Sequence, residues 1–200
     1  MYIAVCGAPG TCKSKVREFL GTKGIDDLTM AVQNPTLDQC ISITLDAFIA
    51  QTSAEDRLDQ GDCDVVLSST VWETYEVYVN LAVQKGFLSA RDVLALQRMY
   101  DRYFRTGLRS PDFAICLRSD YFTSAHHMGM YGGLIPHHEW DEIRDRYDAF
   151  FDRIGVTKLV FDIGPDIAPI LEEIDILVQS TRLQLRQETN TIWGDRTFIL

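Results

Sequence analysis

No stretch of the sequence is apolar for long enough to span a bilayer, and no charged-then-apolar leader precedes the first β-rich run. A soluble, cytoplasmic protein without a membrane partner is therefore expected. Basic charge is scarce. Nineteen Lys and Arg stand against 29 Asp and Glu, and the net charge of -10 argues against a nucleic-acid polymer as the main partner. The five cysteines, Cys6, Cys12, Cys40, Cys63 and Cys116, are scattered, odd in number and without C-x-x-C spacing. That pattern suggests neither a disulfide framework nor a zinc site, and reduced thiols are expected. Only six prolines occur, and repeats, low-complexity tracts and linkers are lacking. With 46% apolar residues in 200, one α/β domain with a substantial core is the natural reading.

The informative stretch is the first one, Met1 to Ser14, MYIAVCGAPGTCKS. Tyr2 to Cys6 reads as a short buried strand. Gly7-Ala8-Pro9-Gly10-Thr11-Cys12-Lys13-Ser14 then fits the phosphate-binding pattern G-x-x-x-x-G-K-[ST] at every fixed position except Cys12. Glycines let backbone N–H groups turn inward, the lysine reaches β- and γ-phosphates, and the hydroxyl holds Mg²⁺. The eight residues are thus candidate nucleotide-binding residues, Lys13 a candidate catalytic residue and Ser14 a candidate metal ligand. A β-carbon at Cys12 opposes the backbone geometry that the pattern reserves for glycine. A helix over Lys13 to Leu20 would add its N-terminal dipole to a bound anion.

Further along, Leu28 to Val32 reads as a second strand ended by Gln33-Asn34-Pro35. The three- and four-residue spacing of Leu37, Ile41, Leu45, Phe48 and Ile49 predicts a helix from Thr36 to about Arg57 with these side chains on one face. Val65 to Ser68 is apolar and short, as a buried parallel strand would be. Two helical stretches follow between Thr70 and Tyr103, broken near Lys85-Gly86, with Ser89 capping the second. Phe113 to Leu117 is another buried strand, a long segment runs from Tyr121 to Gly133, and a helix spans His137 to Arg153. A strand from Lys158 to Phe161 and a helix around Ile167 to Glu173 complete the alternation. The β-α order predicts an open parallel sheet of about five strands between helices, a three-layer α/β phosphate-loop fold. The domain is expected over 1–180, with 181–200 a tail of unassigned placement.

This order of elements resembles the deoxyribonucleoside kinase family, the thymidine, deoxyadenosine and deoxycytidine kinases. The resemblance covers roughly Met1 to Val178. Beyond the loop it rests on Leu28 to Val32, Leu45-Asp46-Ala47-Phe48, Pro111-Asp112-Phe113-Ala114-Ile115-Cys116-Leu117-Arg118, Ile135-Pro136 and Leu159-Val160-Phe161-Asp162. It implies a kinase that uses ATP and Mg²⁺ to phosphorylate the 5′-hydroxyl of a small-molecule deoxynucleoside, with a possible homodimer formed through the helices of Thr70 to Tyr103. It also exposes four departures. The family's catalytic glutamate maps onto Met30, its Glu-Arg-Ser onto Ser68-Ser69-Thr70, and its arginine lid onto Ser124 to Met130, with Cys12 the fourth. A shift of alignment at Met30 would let Asp26 or Asp27 supply the missing carboxylate, so Asp27 is a candidate catalytic residue. The competing reading of both is an exposed turn. Asp46 and Trp72 are candidate substrate-binding residues, Asp46 for the base edge and Trp72 for stacking, although Trp72, Tyr75 and Tyr78 also suit a core face. His126, His127, His137 and His138 suit an exposed loop and helix start better than a metal site. A catalytically impaired homologue that binds a nucleotide or a protein is the alternative. A nucleotide kinase whose phosphate arginines come from Arg102, Arg105 and Arg109 is a third reading.

Overall fold

The computed structural model describes residues 1–20, 37–59, 65–68, 73–104, 108–129 and 136–194. Four parallel strands form one sheet in the order β2-β1-β3-β4 among the described residues: β1 (Tyr2–Gly7), β2 (Val65–Ser68), β3 (Phe113–Arg118) and β4 (Thr157–Asp162). The segment Leu28 to Val32, the remaining candidate strand, lies outside the described residues. Parallel neighbours need crossover connections, and helices supply them. They are α1 (Lys13–Phe19), α2 (Leu37–Asp59), a π-helical stretch Thr74–Val79 continuing into α3 (Asn80–Gln84), and α4 (Ala90–Met99) continuing into a second π-helical stretch, Tyr100–Phe104. Next come α5 (Tyr121–His127), α6 (His137–Arg153) and α7 (Ala168–Gly194). Residues Met1–Pro165 form one compact unit and Asp166–Leu200 a second.

β1 sits in the middle, which explains why all six of its residues are buried although no polar position alternates with its apolar ones. Ala4, Cys6 and Ala8, with Ala114 and Cys116 of β3, meet Ile143, Tyr147, Phe150 and Phe151 of α6 and Val77 of the first π-helical stretch. Small side chains on the sheet make room for aromatic ones on the helix. Ile3, Val5, Phe113, Ile115 and Leu117 alternate with these, point to the opposite face and are equally buried. Asp112 fixes the start of the β1–β3 pairing. Its Oδ2 accepts from the Tyr2 N–H at 2.7 Å, and its own N–H donates to the Tyr2 carbonyl at 2.8 Å. From there the register runs from Ile3 opposite Phe113 to Gly7 opposite Leu117.

Several expected elements are present with small shifts of boundary, including the break at Lys85-Gly86, where Gly86 has φ +73°. Ser89 caps α4 in a reciprocal box with Asp92, as the S-x-x-D spacing allows. The buried face of α2 departs from expectation. Ile49 is 63% exposed and Leu45 41%, whereas Cys40, Thr44, Ala47, Ala50 and Gln51 are buried. The larger apolar residues had dominated the periodicity, but smaller ones let this helix approach its neighbours, and Thr44 satisfies its hydroxyl on the Cys40 carbonyl at 2.7 Å. α7 also extends well past Glu173, since no glycine follows Gly164 until Gly194. Cys6, Cys12, Cys40 and Cys116 are free thiols. No helix among the described residues is long and apolar enough to cross a membrane.

Candidate active site

The chain leaves β1 for β2 on one side and returns to pair β3 on the other, so the carboxyl end of β1 borders a topological switch point, where open α/β sheets place ligands. The phosphate-pattern residues occupy that end. The loop closes on itself through Thr11, whose N–H and hydroxyl both donate to the Ala8 carbonyl, at 3.3 and 2.8 Å. Gly7 is required by proximity. A β-carbon there would stand 2.5 Å from Thr11 Oγ1 and 2.7 Å from the Leu117 carbonyl oxygen. Gly10 is required twice over, by φ +79° and by the Ser124 carbonyl oxygen 2.5 Å from where its β-carbon would lie. Ala8 is buried and Pro9 half-buried beside them.

Cys12 takes up the left-handed conformation, φ 62° and ψ 26°, as N-cap of α1, the only non-glycine residue with positive φ among those described. The geometry that the pattern reserves for glycine is therefore kept, with a β-carbon held in it at a cost of roughly 1–2 kcal/mol. Alanine ordinarily stabilises a chain relative to glycine, but here the order should reverse. Cys12→Gly is expected to be about 1 kcal/mol more stable than Cys12→Ala, a difference of about 3 °C in Tm by thermal unfolding. Equal or inverted midpoints would show that the backbone at residue 12 relaxes when its side chain changes.

Lys13 and Ser14 occupy the first two positions of α1, both half-buried. The Lys13 ammonium folds back over the loop, with Nζ donating to the Gly7 carbonyl at 2.7 Å and to the Ala8 carbonyl at 3.3 Å. On the other side of the Gly7 peptide stands a residue that the sequence reading does not single out. Glu73, 1% exposed, accepts the Gly7 N–H on Oε1 at 3.3 Å. Tyr147 of α6 and the Cys6 thiol also hydrogen-bond its carboxyl. Burial pushes that carboxyl above its ordinary pKa, while the Lys13 charge and these hydrogen bonds pull it down. The same burial, together with Glu73, pushes the Cys116 thiol up to about 12. The loop is thus not without a carboxylate, although Ser68-Ser69-Thr70 offers none. One arrives three residues later, from behind.

Most of α5 falls within Ser124 to Met130, the stretch that the resemblance leads us to expect in the place of an arginine lid. Asp120 caps it, accepting from the Thr123 N–H and hydroxyl, each at 2.9 Å. Ser124, fully buried, presents its carbonyl to Gly10 and bonds Ser119 through its hydroxyl. His127 Nε2 lies 2.9 Å from the Gly164 carbonyl, so the far end of the helix is anchored as well. The Thr123 backbone N–H holds the Asp120 carboxyl below its ordinary pKa. A depressed folded value means stability that is present above the unfolded pKa and lost as pH falls through the folded one. Asp120→Ala is expected to cost about 1 kcal/mol at neutral pH, with the gap to wild type closing on acidification, measured by urea unfolding across pH. A gap independent of pH would argue against the cap as its source.

Other candidates are dispersed. Asp46 is exposed on α2. Asp26, Asp27, Met30 and Trp72 lie outside the described residues, as does Arg105. Arg109 stands at the amino end of β3, the opposite end of the sheet from the loop, where it pairs with Asp59 at 3.8 Å and Asp112 at 3.9 Å. It is therefore removed from any phosphate site at the loop, against the third reading of the sequence. His137 stacks on Tyr121 at 4.5 Å and faces Asp141 at 3.7 Å. Among the described residues no cluster of His, Cys, Asp and Glu is built to hold a metal ion.

No family model matches the chain, and no curated protein does. Solved structures do match. Deoxyadenosine kinase from M. mycoides with bound dATP superposes with a TM-score of 0.68 at 17% identity, over 90% of this chain and 100% of that one. The same enzyme with bound dCTP gives 0.67 at 18%, and with the products dCMP and dCDP 0.65 at 19%, both with the same coverage. The fold is that of the deoxynucleoside kinases, an α/β fold with a parallel sheet flanked by helices.

Proposed function

We propose that the protein is an ATP-dependent deoxynucleoside kinase-like phosphotransferase, moving the γ-phosphoryl group of ATP to the 5′-hydroxyl of a deoxynucleoside. The observation that carries the reading is the placement of Lys13 and Ser14 at the start of α1, on a closed loop at the carboxyl end of the central strand of this fold. Phosphoryl transfer asks a protein chiefly to position two oxygens in line and to neutralise charge spreading over the transferred group. Lys13 supplies the mobile cation, exchanging its two loop carbonyls for phosphate oxygens. The loop's backbone, shaped by Gly7, Gly10 and Cys12, cradles the triphosphate. The donor set fits Mg²⁺, which accepts one hydroxyl such as that of Ser14 and takes its other ligands from phosphates and water, so no carboxylate cage is needed. The ion would draw negative charge from the phosphate oxygens. Asp27 is proposed as acceptor of the hydroxyl proton, and Asp46 and Trp72 as contacts to the nucleoside.

The similarity to enzymes solved with dATP, dCTP and dCMP supports a deoxynucleoside as the acceptor class. The test is a phosphoryl-transfer screen with Mg-ATP against the four deoxynucleosides and their monophosphates, run beside ATP-binding calorimetry. Turnover with one or more deoxynucleosides is expected. ATP binding without turnover would instead favour an impaired homologue acting as a nucleotide-binding subunit, a reading supported by the strained Cys12 in the loop.

A further inference from the structure

Gly7 is gripped at both polar ends of its residue, the N–H by Glu73 at 3.3 Å and the carbonyl by Lys13 at 2.7 Å. The two grips are of opposite charge and differ in freedom. Glu73 is buried on the floor of the loop among Cys6 of β1, Cys116 of β3 and Tyr147 of α6, and cannot follow a ligand. Lys13 is half-buried on a long flexible stem and can. We propose that Glu73 is a positioning residue that holds Lys13 parked on the loop as its counter-charge, and that it takes up a proton when Lys13 leaves for the phosphates of a bound nucleotide. The inference rests on the reading of the loop as an ATP site.

The titratable and charged groups facing Glu73 are Lys13, Cys6, Cys116 and Tyr147. Lys13 is the only cation among them, and its charge is the largest influence opposing the cost of burying the carboxylate. An ionised carboxylate kept from water and deprived of its cation protonates instead, because neutralisation is cheaper than uncompensated burial. The incoming triphosphate acts in the same direction, as a like charge arriving on the far side of Gly7. The only bond formed is the O–H of the Glu73 carboxyl. A proton from solvent replaces the Lys13 ammonium as the partner of the carboxylate, and Tyr147 and Gly7 keep their hydrogen bonds to the neutral group.

The pairing is tested without nucleotide. Lys13→Met, Glu73→Gln and the double variant are compared with wild type by urea unfolding between about pH 5.5 and pH 8. Lys13→Met should destabilise progressively as pH rises, since it leaves the carboxylate uncompensated, and the same substitution in the Glu73→Gln background should show no such trend. Identical trends in both backgrounds overturn the pairing. Should Glu73→Gln fail to fold, the infrared band of protonated carboxyl decides: at neutral pH it must grow in Lys13→Met over wild type, and an unchanged band overturns the pairing. The release step is read by calorimetry of ATP binding in buffers of differing ionisation enthalpy. Wild type should take up more protons than Glu73→Gln, by up to about one per ATP. Binding with equal proton uptake overturns the release step. Absence of ATP binding overturns the functional reading and the release step together, while the nucleotide-free comparison still decides the pairing by itself.

Discussion

Gly10→Ala is expected to lower stability by about 3 kcal/mol, near the upper end of what single substitutions do. Two independent causes add. The φ of +79° places an L-residue in the left-handed region, at roughly 1–2 kcal/mol. The new methyl would then meet main chain rather than a side chain that can turn away. The Ser124 carbonyl oxygen would lie at 2.5 Å, with Ser124 C and Cα at 2.9 Å, and forced overpacking of this kind costs about 1–3 kcal/mol. α5 cannot retreat freely, because Asp120 caps its start and His127 reaches Gly164 beyond its end. The relief is therefore expected in the loop, so ATP affinity should fall along with the unfolding midpoint. Gly86→Ala is a control with the same backbone penalty and open space around the added carbon, since Gly86 has φ +73° and nothing within 4 Å. Equal losses at both positions would show that the packing against Ser124 contributes nothing.

Lys13→Ala is expected to lower kcat/KM for deoxynucleoside phosphorylation by about 10²–10³-fold, the range for deleting one preorganised electrostatic contact to a transition state. On the proposed reading the loop's backbone also holds the triphosphate in the ground state, so ATP affinity should fall less than turnover does. Stability should change differently from activity. The two bonds from Lys13 Nζ to the Gly7 and Ala8 carbonyls are lost, and Glu73 loses its cation. Steady-state kinetics beside thermal unfolding separates these effects. A variant that retains turnover within a few-fold of wild type would remove the phosphate loop from the chemistry.

β1 and β3 were legible in the sequence because both of their faces are covered, which makes them uninterrupted apolar runs bounded by Gly7 and Pro111-Asp112. α6 was legible for a different reason. Its Trp140, Ile143, Tyr147, Phe150 and Phe151 recur at helical spacing and are all buried, so size and burial coincide. In α2 they do not coincide, and its exposed Leu45 and Ile49 pointed to the wrong face. The loop was legible from its glycines and from Lys13, and the geometry at Cys12 agrees with the objection raised against a β-carbon there. Glu73 escaped because attention to Ser68-Ser69-Thr70 assumed that a carboxylate must enter where the family places one. Its signal was an acidic residue four before the buried Val77, on the same helical face. α5 was read as part of a long segment, although Asp120 and Thr123 carry the D-x-x-T spacing of a capped start.

The hydrogen bond from Tyr2 to Asp112 spans 110 positions of the chain. Closing a flexible loop of that length costs about 4 kcal/mol of entropy before any strand pairing offsets it. β1 is synthesised before both of its partners, β2 at residues 65–68 and β3 at 113–118, and its glycine-dependent end leans on Leu117 and Ser124. The chain from Tyr2 as far as Ser124 must therefore emerge before the loop after β1 has walls, and the stretch Met1 to Ser14 waits meanwhile as an apolar, glycine-punctuated segment. The net charge of -10, from 29 Asp and Glu against 19 Lys and Arg, opposes self-association of such a segment through the interval when it has nothing to pair with.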